Sequence, residues 1–217
     1  MITVMIVDDQ ELLRRGLAMV VDSQPDLELV AEAGDGQEAL EVLAGRRVDV
    51  VVMDVRMPRM DGVRATARIQ ELSRPPRVLV LTTFDLDEHA LGALRAGASG
   101  FLLKDAPGEE IIAAIRHVHA GDAIIAPATT RRLVAQLVDQ RDTDPAAVLQ
   151  LLTEREQEVF RELARGASNA EIGARLYLSE TTVKTHVGRI LTKLRLRDRV
   201  QAVVLAYESG VVRPGSH

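Results

Sequence analysis

The chain has 217 residues, 47% apolar and 27% charged, a globular balance that argues against wholesale disorder. It has no cysteine, which excludes disulfides, thiolate metal sites and cysteine nucleophiles and fits a reducing compartment. Its formal charge of −5 is uneven: residues 1–121 hold 13 basic and 20 acidic groups (−7), residues 151–217 hold 11 and 8 (+3), so two jobs are expected, the second at a polyanion.

Met1–Val7 is a short apolar run ended by Asp8-Asp9 with no basic start, unlike a signal peptide. No apolar stretch approaches the roughly 18–20 residues of a membrane span, so a cytoplasmic protein without membrane contact is expected. Short β-branched runs then recur at Thr3–Val7, Leu29–Ala33, Val48–Met53, Arg77–Thr82 and Gly100–Leu103. Between them the helical period predicts helices near 10–22, 36–45, 61–72, 87–96 and 108–120. Runs such as Val50-Val51-Val52-Met53 are apolar at successive positions, as strands covered on both faces require. Five such units predict an α/β doubly wound, five-stranded parallel sheet, flavodoxin-like, over residues 1–121. Residues 122–150 read as a linker with one helix near 128–140 and a polar stretch from Asp139 to Pro145. From Thr153 onward every segment has helical period, with helices expected at 153–165, 169–175, 179–194 and 198–208 and a Thr153–Glu156 capping box. Residues 151–217 are therefore read as an all-α domain.

Asp8 and Asp9 follow the first strand directly, and Asp54 follows the third. A single Asp after a strand commonly caps the next helix. Three carboxylates at one sheet edge repel one another unless protonated or bound to a cation, and an oxygen-only set suits Mg²⁺. The fourth and fifth strands end in Thr82-Thr83 and in Phe101-Leu102-Leu103-Lys104. A hydroxyl and an ammonium there would hold the oxygens of a phosphoryl group on Asp54.

This pattern, with Asp54 opening Asp-x-x-Met-Pro-x-Met-Asp-Gly, resembles the receiver domain of two-component response regulators. The resemblance implies that Asp54 accepts phosphate from a sensor histidine kinase. It further implies that Asp8, Asp9, Asp54 and the main-chain carbonyl of Arg56 hold Mg²⁺, that Thr82 and Lys104 contact the phosphoryl oxygens, and that Phe101 is a switch aromatic. Thr83 is the alternative switch hydroxyl, because adjacent strand residues face opposite sides. Phe101 also reads as plain core. Many receivers carry Lys-Pro where this chain has Lys104-Asp105, so no cis bond is expected there. On this reading the chain is no enzyme beyond its own phosphoryl transfer and dephosphorylation. A Mg²⁺-dependent phosphohydrolase would need an acid/base Asp where Arg56 stands. A DNA-binding protein with a vestigial receiver would not need the complete acidic and Lys set.

In the C-terminal part, Ser179 reads as an N-cap and Val183, Val187, Ile190, Leu191 and Leu194 as an apolar stripe. The other face carries Thr181, Lys184, Thr185, Gly188 and Lys193, flanked by Arg189 and Thr192. A short helix, a tight turn and a basic second helix point to helix-turn-helix DNA binding, against the plainer reading of a solvated Lys-bearing face. Leu152–Glu156, Ser168–Ala174 and Ser179–Val187 are similar to the LuxR-type helix-turn-helix, and the whole chain resembles the NarL/FixJ response regulators. The resemblance places Lys184 and Thr185 near base edges of double-stranded promoter DNA, with Thr181, Thr182, Arg189 and Lys193 nearer phosphates and His186 among them. It implies a homodimer when phosphorylated and RNA polymerase as a further partner. The stripe Val200-Val203-Val204-Tyr207 reads equally as dimer surface or domain core. The chain has only three Lys among 27 basic residues, namely Lys104, Lys184 and Lys193, all at proposed contact positions.

Overall fold

The computed structural model describes residues 1–82, 88–121 and 145–212, with backbone alone for 88–91. The chain divides into two compact units, Met1–Ile124 and Ile125–His217. The expected helix near 128–140 and Thr83 lie outside the described residues.

The first unit alternates strands and helices: β1 (Ile2–Val7), α1 (Glu11–Asp22), β2 (Leu27–Ala33), α2 (Gly36–Gly45), β3 (Val50–Asp54), α3 (Gly62–Gln70), β4 (Arg77–Thr82), α4 (Glu88–Arg95), β5 (Gly100–Leu103) and α5 (Gly108–Ala120). The five strands form one parallel sheet in the order β2-β1-β3-β4-β5, the doubly wound architecture. The inner strands are sealed on both faces, as their unbroken apolar runs require: Val50 to Met53 and Val78 to Leu81 are at most 2% exposed. One face packs Val4, Ile6, Val50, Val52, Leu79 and Leu81 against Leu17 and Val21 of α1 and Ile111, Ile112, Ile115 and Val118 of α5. The order in which strands are added reverses at β1, which has β2 on one side and β3 on the other. In open α/β sheets the crevice beyond the strand ends at such a switch point is where ligands bind.

Edge strand β2 starts at Leu27, two residues before the expected run, because its outer positions are partly exposed and break the apolar pattern. Strand β3 ends on Asp54 itself, so the candidate phosphoacceptor is still held by the ladder. No peptide bond among the described residues is cis, as expected for Lys104-Asp105.

The second unit is all helical among the described residues: α6 (Pro145–Leu149), α7 (Glu154–Ala164), α8 (Asn169–Leu176), α9 (Glu180–Lys193) and α10 (Arg199–Glu208). Helix α6 lies inside the segment read as linker; it is a five-residue run started by proline, which suits a first helical position, and is too short to show a period. Capping boxes start α7 at Thr153–Glu156 and α8 at Ser168–Glu171, and Ser179 and Asp198 cap α9 and α10. The core gathers Val159, Phe160, Leu163, Ile172, Val183, Ile190, Val200, Val204 and Tyr207. Val200, Val203, Val204 and Tyr207 are at most 7% exposed, so that stripe is core of its own unit.

Candidate functional site

Strand register builds the first site. Val7 pairs with Met53, which sets Asp8 beside Asp54 one step beyond. Asp54 pairs with Leu81 and Thr82 with Leu103, so Thr82 and Lys104 continue the same row at the carboxyl edge. The main-chain N–H of Lys104 donates to the carbonyl of Thr82 at 2.7 Å, which stitches the end of that row.

Lys104 lies between two carboxylates, its Nζ 2.8 Å from Oδ2 of Asp8 and 2.8 Å from Oδ2 of Asp54. The other oxygen of Asp54 accepts the main-chain N–H of Arg56 at 3.3 Å, and Oδ1 of Asp8 accepts that of Gln10 at 2.9 Å. Asp8 is 1% and Asp54 5% exposed, whereas Asp9 is exposed. Burial pushes the Asp54 carboxyl above the usual range; Lys104 pulls it back in part, and the charge of Asp8 adds to the rise. Burial alone would lower the Lys104 ammonium, but its two carboxylate partners hold it above its ordinary value. The cluster thus has three carboxylates against one ammonium. One oxygen from each of Asp8, Asp9 and Asp54 lies within 4.8 Å of the others, so the donor set is hard, convergent and short of positive charge, and it fits a divalent cation such as Mg²⁺.

Thr82, at the end of β4, is 5% exposed, and Phe101, inside β5 and paired to Val80, is 3% exposed. Two supports escaped sequence reasoning. Arg14 donates to the main-chain carbonyl of Asp8 at 2.7 Å and pairs with Glu32 at 3.3 Å, which ties the Asp8-Asp9 turn to α1. Arg59, in the left-handed region at φ 60°, pairs with the fully buried Asp35 that caps α2, so the loop after Asp54 is fastened to a neighbouring helix. Asp35 as a cap after Gly34 was a readable signal; its distant Arg partner was not.

In the second unit, α8 and α9 meet at a tight turn. Tyr177 adopts φ 55°, Leu178 donates its N–H to the carbonyl of Gly173 at 2.9 Å, and a Cβ on Gly173 would sit 2.6 Å from the carbonyl oxygen of Leu178. Only glycine allows that close return. Ser179 accepts the N–H of Thr182 at 3.1 Å. Along α9, Val183 and Ile190 are buried, while Thr181, Lys184, Thr185 and Arg189 are exposed together and Thr182 and His186 are half-buried. Lys193 is set apart from that face: its Nζ lies 2.6 Å from Oε2 of Glu156, a carboxylate 3% exposed. The sequence reading put Lys193 on the polar face, but nine residues at about 100° each set it half a turn round from Lys184, and its partner lies 37 residues away.

Residues 4–116 match the response regulator receiver domain, and residues 150–206 match the luxR family of bacterial regulatory proteins. The chain is 39% identical to the uncharacterized transcriptional regulatory protein YxjL of Bacillus subtilis (strain 168), over 98% of each chain. It is 33% identical to the nitrate/nitrite response regulator protein NarL of Escherichia coli (strain K12), over 96% of each. Among solved structures, the response regulator ChrA of a heme-sensing two-component system is 35% identical, with a TM-score of 0.52 over 97% of this chain and 98% of that one. The chain belongs to the two-component response regulators of the NarL/FixJ family, a receiver joined to a luxR-type helix-turn-helix DNA-binding domain. It is a DNA-binding transcription factor of the phosphorylation-regulated kind. Among the described residues no helix is long and apolar enough to cross a membrane.

Proposed function

We propose that a sensor histidine kinase phosphorylates Asp54 in a Mg²⁺-dependent reaction, and that the modified chain dimerises and binds promoter DNA through α9. The observation that carries this reading is the row Asp8, Asp54, Thr82 and Lys104, set side by side by strand register at the switch point of the sheet. A carboxylate oxygen of Asp54 attacks the donor phosphorus. The donor P–N bond breaks, its electron pair returns to the imidazole nitrogen, and an acyl phosphate remains on Asp54. Asp8, Asp9, Asp54 and the main-chain carbonyl of Arg56 would hold the Mg²⁺, which supplies positive charge opposite the phosphoryl oxygens. Lys104, already within 2.8 Å of Asp54, moves to a phosphoryl oxygen, and the Thr82 hydroxyl turns in to another. Phe101 follows Thr82 and alters the surface around β5, shifting an equilibrium between inactive and active forms.

The receiver spans residues 1–121, the linker 122–150 and the DNA-binding domain 151–217, in a cytoplasmic protein whose further partner is RNA polymerase. Lys184 and Thr185 reach base edges, with Thr181, Thr182, His186 and Arg189 at the flanking backbone; the phosphate contact expected of Lys193 competes with its bond to Glu156. The test is phosphate uptake from acetyl phosphate and Mg²⁺, read on phosphate-affinity gels. Wild type shifts and Asp54→Asn does not, because an amide is neither nucleophile nor anionic ligand. Uptake by the Asn variant would move the acceptor elsewhere.

A further inference from the structure

Helix α9 is held at both ends. Its N-terminus is fixed by the α8–α9 turn and the Ser179 cap. Its last turn is fixed by Lys193, whose ammonium reaches Oε2 of Glu156 at 2.6 Å. The same oxygen accepts the main-chain N–H of Thr153 at 2.9 Å, so the capping box that starts α7 also anchors α9. Glu156 is 3% exposed and cannot itself reach DNA. The Lys193 side chain is 38% exposed, but moving it to a phosphate would take the charged partner from a buried carboxylate, which is unfavourable.

We propose that Glu156 and Lys193 form a strut that sets the tilt of α9, so that Lys193 supports DNA reading through Glu156 and not as a phosphate contact. The proposal rests on α9 being the reading helix. Lys184 lies nine residues before Lys193, roughly 13 Å along the helix axis. A tilt of about 10° at the anchored end would move Lys184 by about 2 Å over that length, enough to spoil hydrogen bonds to a base edge. Both are positioning residues.

The two roles predict opposite signs for Glu156→Gln. The amide oxygen can still accept the Thr153 N–H, so the cap survives, while the charged partner of Lys193 is gone. A strut loses grip and DNA binding weakens. A phosphate ligand is freed from a competing carboxylate and DNA binding tightens.

The experiment uses the full chain treated with acetyl phosphate, a duplex selected from a random pool by the wild type, and a scrambled duplex, across a salt series. Glu156→Gln and Lys193→Met should each weaken the selected duplex about tenfold, equivalent to about 1.4 kcal/mol. The slope of log affinity against log salt should stay as in wild type, and the double variant should be no worse than the weaker single, as one linked device requires. Lys193→Arg should recover most of the loss. The strut is overturned if Glu156→Gln tightens both duplexes, if Lys193→Met flattens the slope by about 0.9, the mark of one lost phosphate contact, or if both variants bind like wild type. Should Lys193→Met fail to fold, Glu156→Gln still decides by the sign of its effect. Lys184→Ala runs alongside: if it leaves the selected duplex unaffected, the assignment of α9 as reading helix has failed, a result distinct from failure of the strut.

Discussion

Lys104 is 10% exposed and bridges two carboxylates at 2.8 Å each, so its slot fits a compact ammonium. Lys104→Arg keeps the charge but brings a planar, larger group with a different donor geometry. Phosphorylated Lys104→Arg should remain largely monomeric under light scattering, under conditions in which the phosphorylated wild type should dimerise. Glu156 gives a pH prediction of its own. Burial pushes its carboxyl up, but the bonds from Lys193 and Thr153 outweigh burial and hold it below the usual carboxylate value. A lowered folded-state value means that its contribution to stability is complete above the unfolded carboxyl value and is lost as pH falls through the folded one. The chain's two tyrosines, Tyr177 and Tyr207, both lie in the second unit, so tyrosine fluorescence follows that unit alone. Urea midpoints read this way should fall on acidification below about pH 4.5. In Glu156→Gln that acid loss should be smaller, because the titrating group is gone.

Elements carry the next constraint. The loop from β3 to α3 returns so closely that a Cβ on Gly62 would collide with the carbonyl oxygen of Asp54, while the Gly62 N–H donates to the carbonyl of Val55 at 2.9 Å. That atom is backbone and cannot swing aside. Gly62→Ala should destabilise the receiver by roughly 3 kcal/mol or more, measured as a shift in its melting transition, and should displace Asp54 before any chemistry is tested. The elements that were legible in the sequence share a reason. Helices 36–45 and 108–120 and strands 77–82 and 100–103 carry complete local signals, either a capping residue, a glycine stop or an unbroken apolar run. Asp8, Asp54, Thr82 and Lys104 were legible because each sits at the end of such a run. Helix α6 was not, its five residues spanning too few turns to display a period, and neither was the start of β2, whose outer face is wet. The supports from Arg14, Arg59 and Glu156 were hidden for another reason: each depends on a partner brought close by the tertiary fold, and the Arg14 bond is to a main-chain atom without residue identity.

At the scale of the whole molecule, the cationic bridge at the receiver has a consequence for how the protein lives without metal. Domains built around a structural ion unfold when it is stripped, since binding and folding are then one event. Here the buried carboxylates of Asp8 and Asp54 already share the Lys104 ammonium, supplied by the chain and tethered within reach. The receiver should therefore melt cooperatively in EDTA, and calorimetry that found it unfolded there would contradict this. Added Mg²⁺ should raise the midpoint only by mass action, with about 2.7 kcal/mol gained at a hundredfold excess over its dissociation constant. Lys104 acts as a resident understudy for the ion: magnesium scarcity would silence the signal yet leave an intact receiver ready to resume once the ion returns.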